Sequence, residues 1–73
     1  MRIENHQGRN IVCGHIYPLS ELVVGSEWQG SSGSVVTIDA IIGEWVTYSG
    51  EHQQSHEKDS FSFQCRYCLI IKD

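Results

Sequence analysis

Proline occurs once in this chain, at Pro18, and no apolar run approaches the length of a membrane-spanning helix. The missing run excludes a helical membrane span, which takes about 18 consecutive apolar residues. The opening MRIENHQGRN is polar where a secretory leader would be apolar, so a cytoplasmic location is expected. Positive charge is scarce as well: five Lys and Arg stand against nine Asp and Glu, for a formal net charge of −4. That sign is wrong for a protein that holds nucleic acid by neutralising phosphates, so direct high-affinity nucleic-acid binding is not expected. The carboxylates are scattered singly along the chain, which reads as solubility rather than as an acidic face built to mimic DNA. Three cysteines are an odd number, and any internal disulfide leaves one thiol over. This fits a reducing compartment better than a secreted disulfide framework.

Catalytic signatures are absent too. There is no G-x-S-x-G, no H-E-x-x-H and no phosphate-binding glycine loop, and the four histidines, His6, His15, His52 and His56, have no scaffold of carboxylates or serines at motif spacing. An enzyme is not expected, nor a cofactor. The strongest chemical signal is Cys-x-x-Cys in CRYC, with VCGH upstream, which together offer Cys13, His15, Cys65 and Cys68 as an alternative zinc set. A zinc knuckle needs its Cys-x-x-Cys on a tight turn. Residues three apart in an extended strand point to opposite faces, and no Gly, Pro or Asn lies between Phe61 and Asp73 to make the turn. Structural thiols are therefore the expected reading, with Cys65 on a core face as a small hydrophobe.

What the sequence does hold is β-forming material. With 73 residues, 40% of them hydrophobic, there is enough for one core, so the division expected is a flexible arm over 1–10 and a small β domain over 11–73. A short strand is expected in IVCGHIY, ended by Pro18. Val23 and Val24 favour an extended connection, and SEWQGSSGS reads as a loop carrying Trp28. GSVVTIDAIIGEWVTYSGE holds two β-branched and aromatic runs around Gly43-Glu44, a hairpin whose glycine suits a type II′ turn. Counting outward from that turn sets Ile42 against Trp45 and Asp39 against Tyr48, unless a bulge shifts the register. SGEHQQSHEKDS reads as an exposed polar loop. In the closing run, Phe61, Phe63, Cys65, Tyr67, Leu69 and Ile71 alternate with polar residues, which predicts one long half-buried strand. The fold expected is mainly β: a small SH3-like barrel or a strongly twisted antiparallel sheet of four to five strands.

Taken together, SEWQG, GSVVTI, WVTYS and KDSFSFQCRYCLI resemble small phage-encoded SH3-like barrel proteins, over roughly residues 19 to 71. In size and style the chain is similar, within that group, to small lytic-phage transcription regulators that bind host RNA polymerase. The resemblance implies a phage protein in the host cytoplasm that binds bacterial RNA polymerase, inhibits initiation or promotes antitermination, and acts through protein-protein interaction as a monomer. Candidate contact residues are Ile3, His6, Arg9 and Ile11 on the arm, which combine apolar and basic groups, with Trp28, Trp45 and Arg66 on the barrel. A different class, a nucleic-acid-binding small barrel, would use Trp28, Tyr48, Tyr67 and Arg66 as a stacking surface.

Overall fold

The structure is a computed structural model that describes residues 2–50 and 54–71. Among the described residues the protein is mainly β, as expected, with seven antiparallel strands in one sheet of order β1-β2-β7-β3-β4-β5-β6, one α-helix and a short 3-10 helix at Leu19–Glu21. The strands are β1 Arg2–His6, β2 Arg9–Cys13, β3 Glu27–Gly30, β4 Val35–Ile42, β5 Trp45–Ser49, β6 Ser55–Asp59 and β7 Tyr67–Ile70, with α1 Ser60–Arg66 between the last two. The sheet is open. Its two edges, β1 and β6, do not pair with each other, so it is neither a closed barrel nor a sheet of four to five strands.

The expected arm is instead a hairpin. Gln7 and Gly8 both have positive φ, 54° and 80°, the signature of a type I′ turn, and β1 and β2 pair from Arg2↔Cys13 to His6↔Arg9. Composition hid this because β1 is an edge strand with little to bury: four of its five residues are exposed. Polar cross-strand pairs hold it, including the Asn5 amide donating to Asn10 Oδ1 at 3.1 Å.

The β4–β5 hairpin forms with Ile42 opposite Trp45. Gly43 has φ 58° and Glu44 does not share its positive sign, as a type II′ turn requires. A bulge between Ile38 and Ala40 then changes the register, so Ile38 faces Tyr48 and Asp39 is the extra, exposed residue. The shift puts a buried isoleucine rather than a carboxylate against the tyrosine ring.

Three polar or alternating stretches also fold differently from expectation. EWQG is strand β3 rather than loop, and Trp28 is 2% exposed, its indole N–H donating to Ser26 Oγ at 3.0 Å. SHEKD is edge strand β6, half of a polar stretch that composition marks as loop; His52 falls outside the described residues. The closing run is helix and then strand. Asp59 caps α1 by accepting from the Ser62 N–H at 3.0 Å, and Phe63 and Gln64 turn inward while Phe61 turns out. A helix places residues three and four apart on one face, so the alternation of FSF is overridden by the cap and by Phe63, Gln64 and Tyr67.

One face of the sheet carries the core: Leu22, Trp28, Val36, Ile38, Val46, Tyr48 and Phe63, with Tyr17, Leu19, Ile41, Tyr67 and Leu69 packed at its margin. Phe63 is fully buried against Trp28 (5.2 Å between centroids), Tyr48 (4.9 Å) and Tyr67 (5.1 Å). Gln64 fastens the preceding loop to the helix: its Oε1 accepts from the Tyr17 N–H at 2.8 Å and its Nε2 donates to the Tyr17 carbonyl at 3.1 Å.

Candidate interaction surface

Two regions on the face away from the core carry the chain's distinctive exposed chemistry, and the four-strand run β7-β3-β4-β5 spans from one to the other. The first lies at the β4–β5 turn. Ile42 and Trp45 flank that turn as register partners and are 66% and 50% exposed. Their side chains cannot enter the core, because the neighbours Ile41 and Val46 already occupy the core face and strand side chains alternate. Trp45 stands opposite Asp59 of β6, and the Ser60 N–H donates to the Glu44 carbonyl at 2.9 Å, which brings exposed Phe61 to the same end of the molecule. Glu44, Glu57 and Asp59 make this end acidic. Ser62 holds the Asp59 carboxyl below the usual carboxylate range by donating its backbone N–H, so that charge is firmly present at neutral pH.

The second region is a groove of about 330 Å³ where the N-terminal hairpin meets β7 and β3. Gln29, 2% exposed, forms its floor and donates from Nε2 to His6 Nδ1, while its Oε1 has no partner among the described residues. Cys13 and Cys68 line the groove with their sulfurs 2.9 Å apart, and exposed Cys65 and Arg66 stand at its rim.

The contact residues expected from sequence are therefore divided. Ile3, Arg9, Trp45 and Arg66 are exposed, and His6 is half-buried in its bond to Gln29. Ile11 and Trp28 are 7% and 2% exposed and lie inside the fold. Tyr48 is also buried and Tyr67 half-buried, so the stacking platform proposed for single-stranded nucleic acid is mostly core. Of the alternative zinc set, His15 packs edge-on against Tyr17 at 4.4 Å between ring centroids. Among the described residues no group of three or more His, Cys, Asp or Glu is placed to hold a metal ion. Cys65, expected on the core face, is an exposed thiol because it sits in the helix.

Ile42 and Phe61 were missed by the sequence reading. A signal was available for the first: a hairpin whose turn is fixed by Gly43 and whose next residue inward is buried must show its flanking pair to the other face. Phe61 had none, since its exposure depends on the helix. Comparison of the chain with protein-family models, with curated proteins and with solved structures finds no match to any of them.

Proposed function

We propose that the protein is a non-enzymatic protein-binding module, and that Ile42, Trp45 and Phe61 form its contact surface. The observation that carries this reading is three large apolar side chains exposed together at one end, beside acidic groups, in a chain with few large side chains to spare. Exposed aromatic residues with a polar rim are the usual centre of a protein interface. The surface suits an apolar pocket bordered by Lys or Arg. Bacterial RNA polymerase is the candidate partner that the resemblance to small phage regulators supplies, with inhibition of initiation or antitermination as the outcome.

The test is binding of purified bacterial RNA polymerase to the immobilised protein, with nuclease present, for the wild type and Trp45→Ala. Expected is nuclease-resistant binding that weakens about 30-fold or more in the variant, as for a central aromatic contact. Equal binding by both proteins rejects the surface. Failure of both to bind rejects polymerase as the partner.

A further inference from the structure

The groove at the other end of that face holds all three cysteines of the chain, and two of them are not independent thiols. Cys13 is the last residue of β2 and Cys68 the second of β7. Val12 pairs with Leu69, so the next step of the antiparallel register sets Cys13 against Cys68. Directly opposed antiparallel residues stand about 4.5–5.5 Å apart at Cα, within the roughly 4.4–6.8 Å that a disulfide spans. The side chains already converge, with sulfurs 2.9 Å apart.

We propose that Cys13 and Cys68 are a modification site, forming a reversible cross-strand disulfide with a small disulfide of the glutathione class as oxidant. The first reason is the geometry just given. The second is what the bond would join. Among the described residues the N-terminal hairpin is attached to β7 by two register pairs, Ile11↔Ile70 and Val12↔Leu69, with the Ile71 N–H donating to the Asn10 carbonyl just beyond them. A covalent link at this seam fastens the hairpin to the sheet and fixes the wall of the groove. The third is Cys65, which lies in α1, outside the strand register, and stays a thiol, so the odd number of cysteines is accounted for.

The chemistry proceeds by two exchanges. The Cys13 thiol is pushed up to about 12 by its contact with Cys68, by burial and by Glu4. The product is the same whichever of the two sulfurs attacks first, and with Cys68 leading the steps are these. Cys68 thiolate attacks one sulfur of the small disulfide, forms a mixed disulfide and releases one small thiol. Cys13 then attacks the Cys68 sulfur and releases the second. Two protein thiols lose two electrons and two protons in all, and one small disulfide is reduced to two thiols. This site is separate from the apolar surface of the proposed function and does not depend on it.

The test is incubation of the intact protein with oxidised glutathione, followed by thiol titration, intact mass and mapping of linked peptides. Expected is one linked pair joining Cys13 to Cys68, with a mass lower by two hydrogens apart from any glutathione carried by the exposed Cys65, all reversed by dithiothreitol. Cys65→Ser should form the same bond with loss of both its thiols and a mass lower by two hydrogens, while Cys13→Ser should stop at a glutathione mixed disulfide on Cys68 with no linked pair within the chain. The oxidised wild type should melt roughly 10–20 °C higher than the reduced form, since the link closes a long loop. A linkage through Cys65, a link between molecules, or three free thiols in excess oxidant would each overturn the proposal. The peptide map of the wild type decides the matter even if Cys13→Ser does not fold.

Discussion

Phe63 and Phe61 sit two residues apart and do opposite things. Phe63 is fully buried where Trp28, Tyr48 and Tyr67 meet, and Phe61 is 61% exposed. Phe63→Ala should therefore cost about 3–5 kcal/mol, the range for emptying a buried aromatic site. Phe61→Ala should stay within about 0.5 kcal/mol, as surface changes do. Chemical denaturation of the two variants checks this directly, because a strand through both residues would bury both. Gln64→Leu leaves the Tyr17 N–H and carbonyl without their partners, and should cost about 1–3 kcal/mol by the same measurement. Asp59 adds a pH dependence. Its carboxyl is depressed in the folded protein by the Ser62 N–H, so the stability it contributes is present above the unfolded value and lost as pH falls through the folded one. Asp59→Asn keeps a capping oxygen but does not titrate. The stability difference between wild type and Asp59→Asn, read from melting curves, should shrink steadily as the pH drops below the ordinary carboxylate range.

Among the elements, the β4–β5 hairpin was legible because its β-branched and aromatic residues bury one face and Gly43 fixes its turn. Its inner register was not, since the bulge at Asp39 is set by packing of Ile38 against the core and leaves no mark in composition. The strands read as arm or loop share one cause. β1 and β6 are edges, and an edge strand with exposed side chains needs no apolar alternation, so its sequence looks like a loop. β3 was hidden differently: its glycines and serines describe the turn that follows it, while Trp28 and Gln29 are among the most buried residues. The helix was masked by coincidence, because FSFQCRYCLI alternates cleanly although Asp59 and Ser62 supply a cap. The groove residues His6, Cys13, Gln29 and Cys68 come from four strands, and no spacing could have joined them. The N-terminal hairpin joins the sheet through two β2–β7 register pairs, and its outer strand β1 is an edge. Its amides in β1 should exchange with solvent fastest among the strand amides and those of β4 and β5 slowest, by hydrogen exchange. At the turn, Gly33 has φ 90° and a Cβ there would stand 2.5 Å from the Gln7 side chain. Gly33→Ala should strain its own backbone, while the end of the Gln7 side chain swings aside, so exchange should rise in β3 and β4 more than in β1.

For the molecule as a whole, an open sheet leaves two unpaired edges and one uncovered face, and each has to be kept from indiscriminate association. The β6 edge carries Glu57, Lys58 and Asp59, and the β1 edge carries Arg2 and Glu4, whose side chains lie 3.4 Å apart. Charge along both edges makes further strand pairing costly, so recognition through edge-strand addition is disfavoured. The uncovered face offers exposed Ile42 and Trp45 at the β4–β5 turn, where the surrounding charge is negative and the molecule carries −4 overall. A partner approaching this end is drawn in by the field and held by the apolar contact, two contributions that respond differently to salt. Glu44→Gln should slow association with a basic-rimmed partner at low ionic strength, and the difference from wild type should fade as salt rises. Trp45→Ala should speed dissociation by a factor that salt leaves unchanged, because buried apolar area is not screened. Association and dissociation rates measured across a salt series separate the two variants. Matching salt dependence in both would mean that the tryptophan and the carboxylate do not belong to one surface, and that the contact lies elsewhere on the sheet.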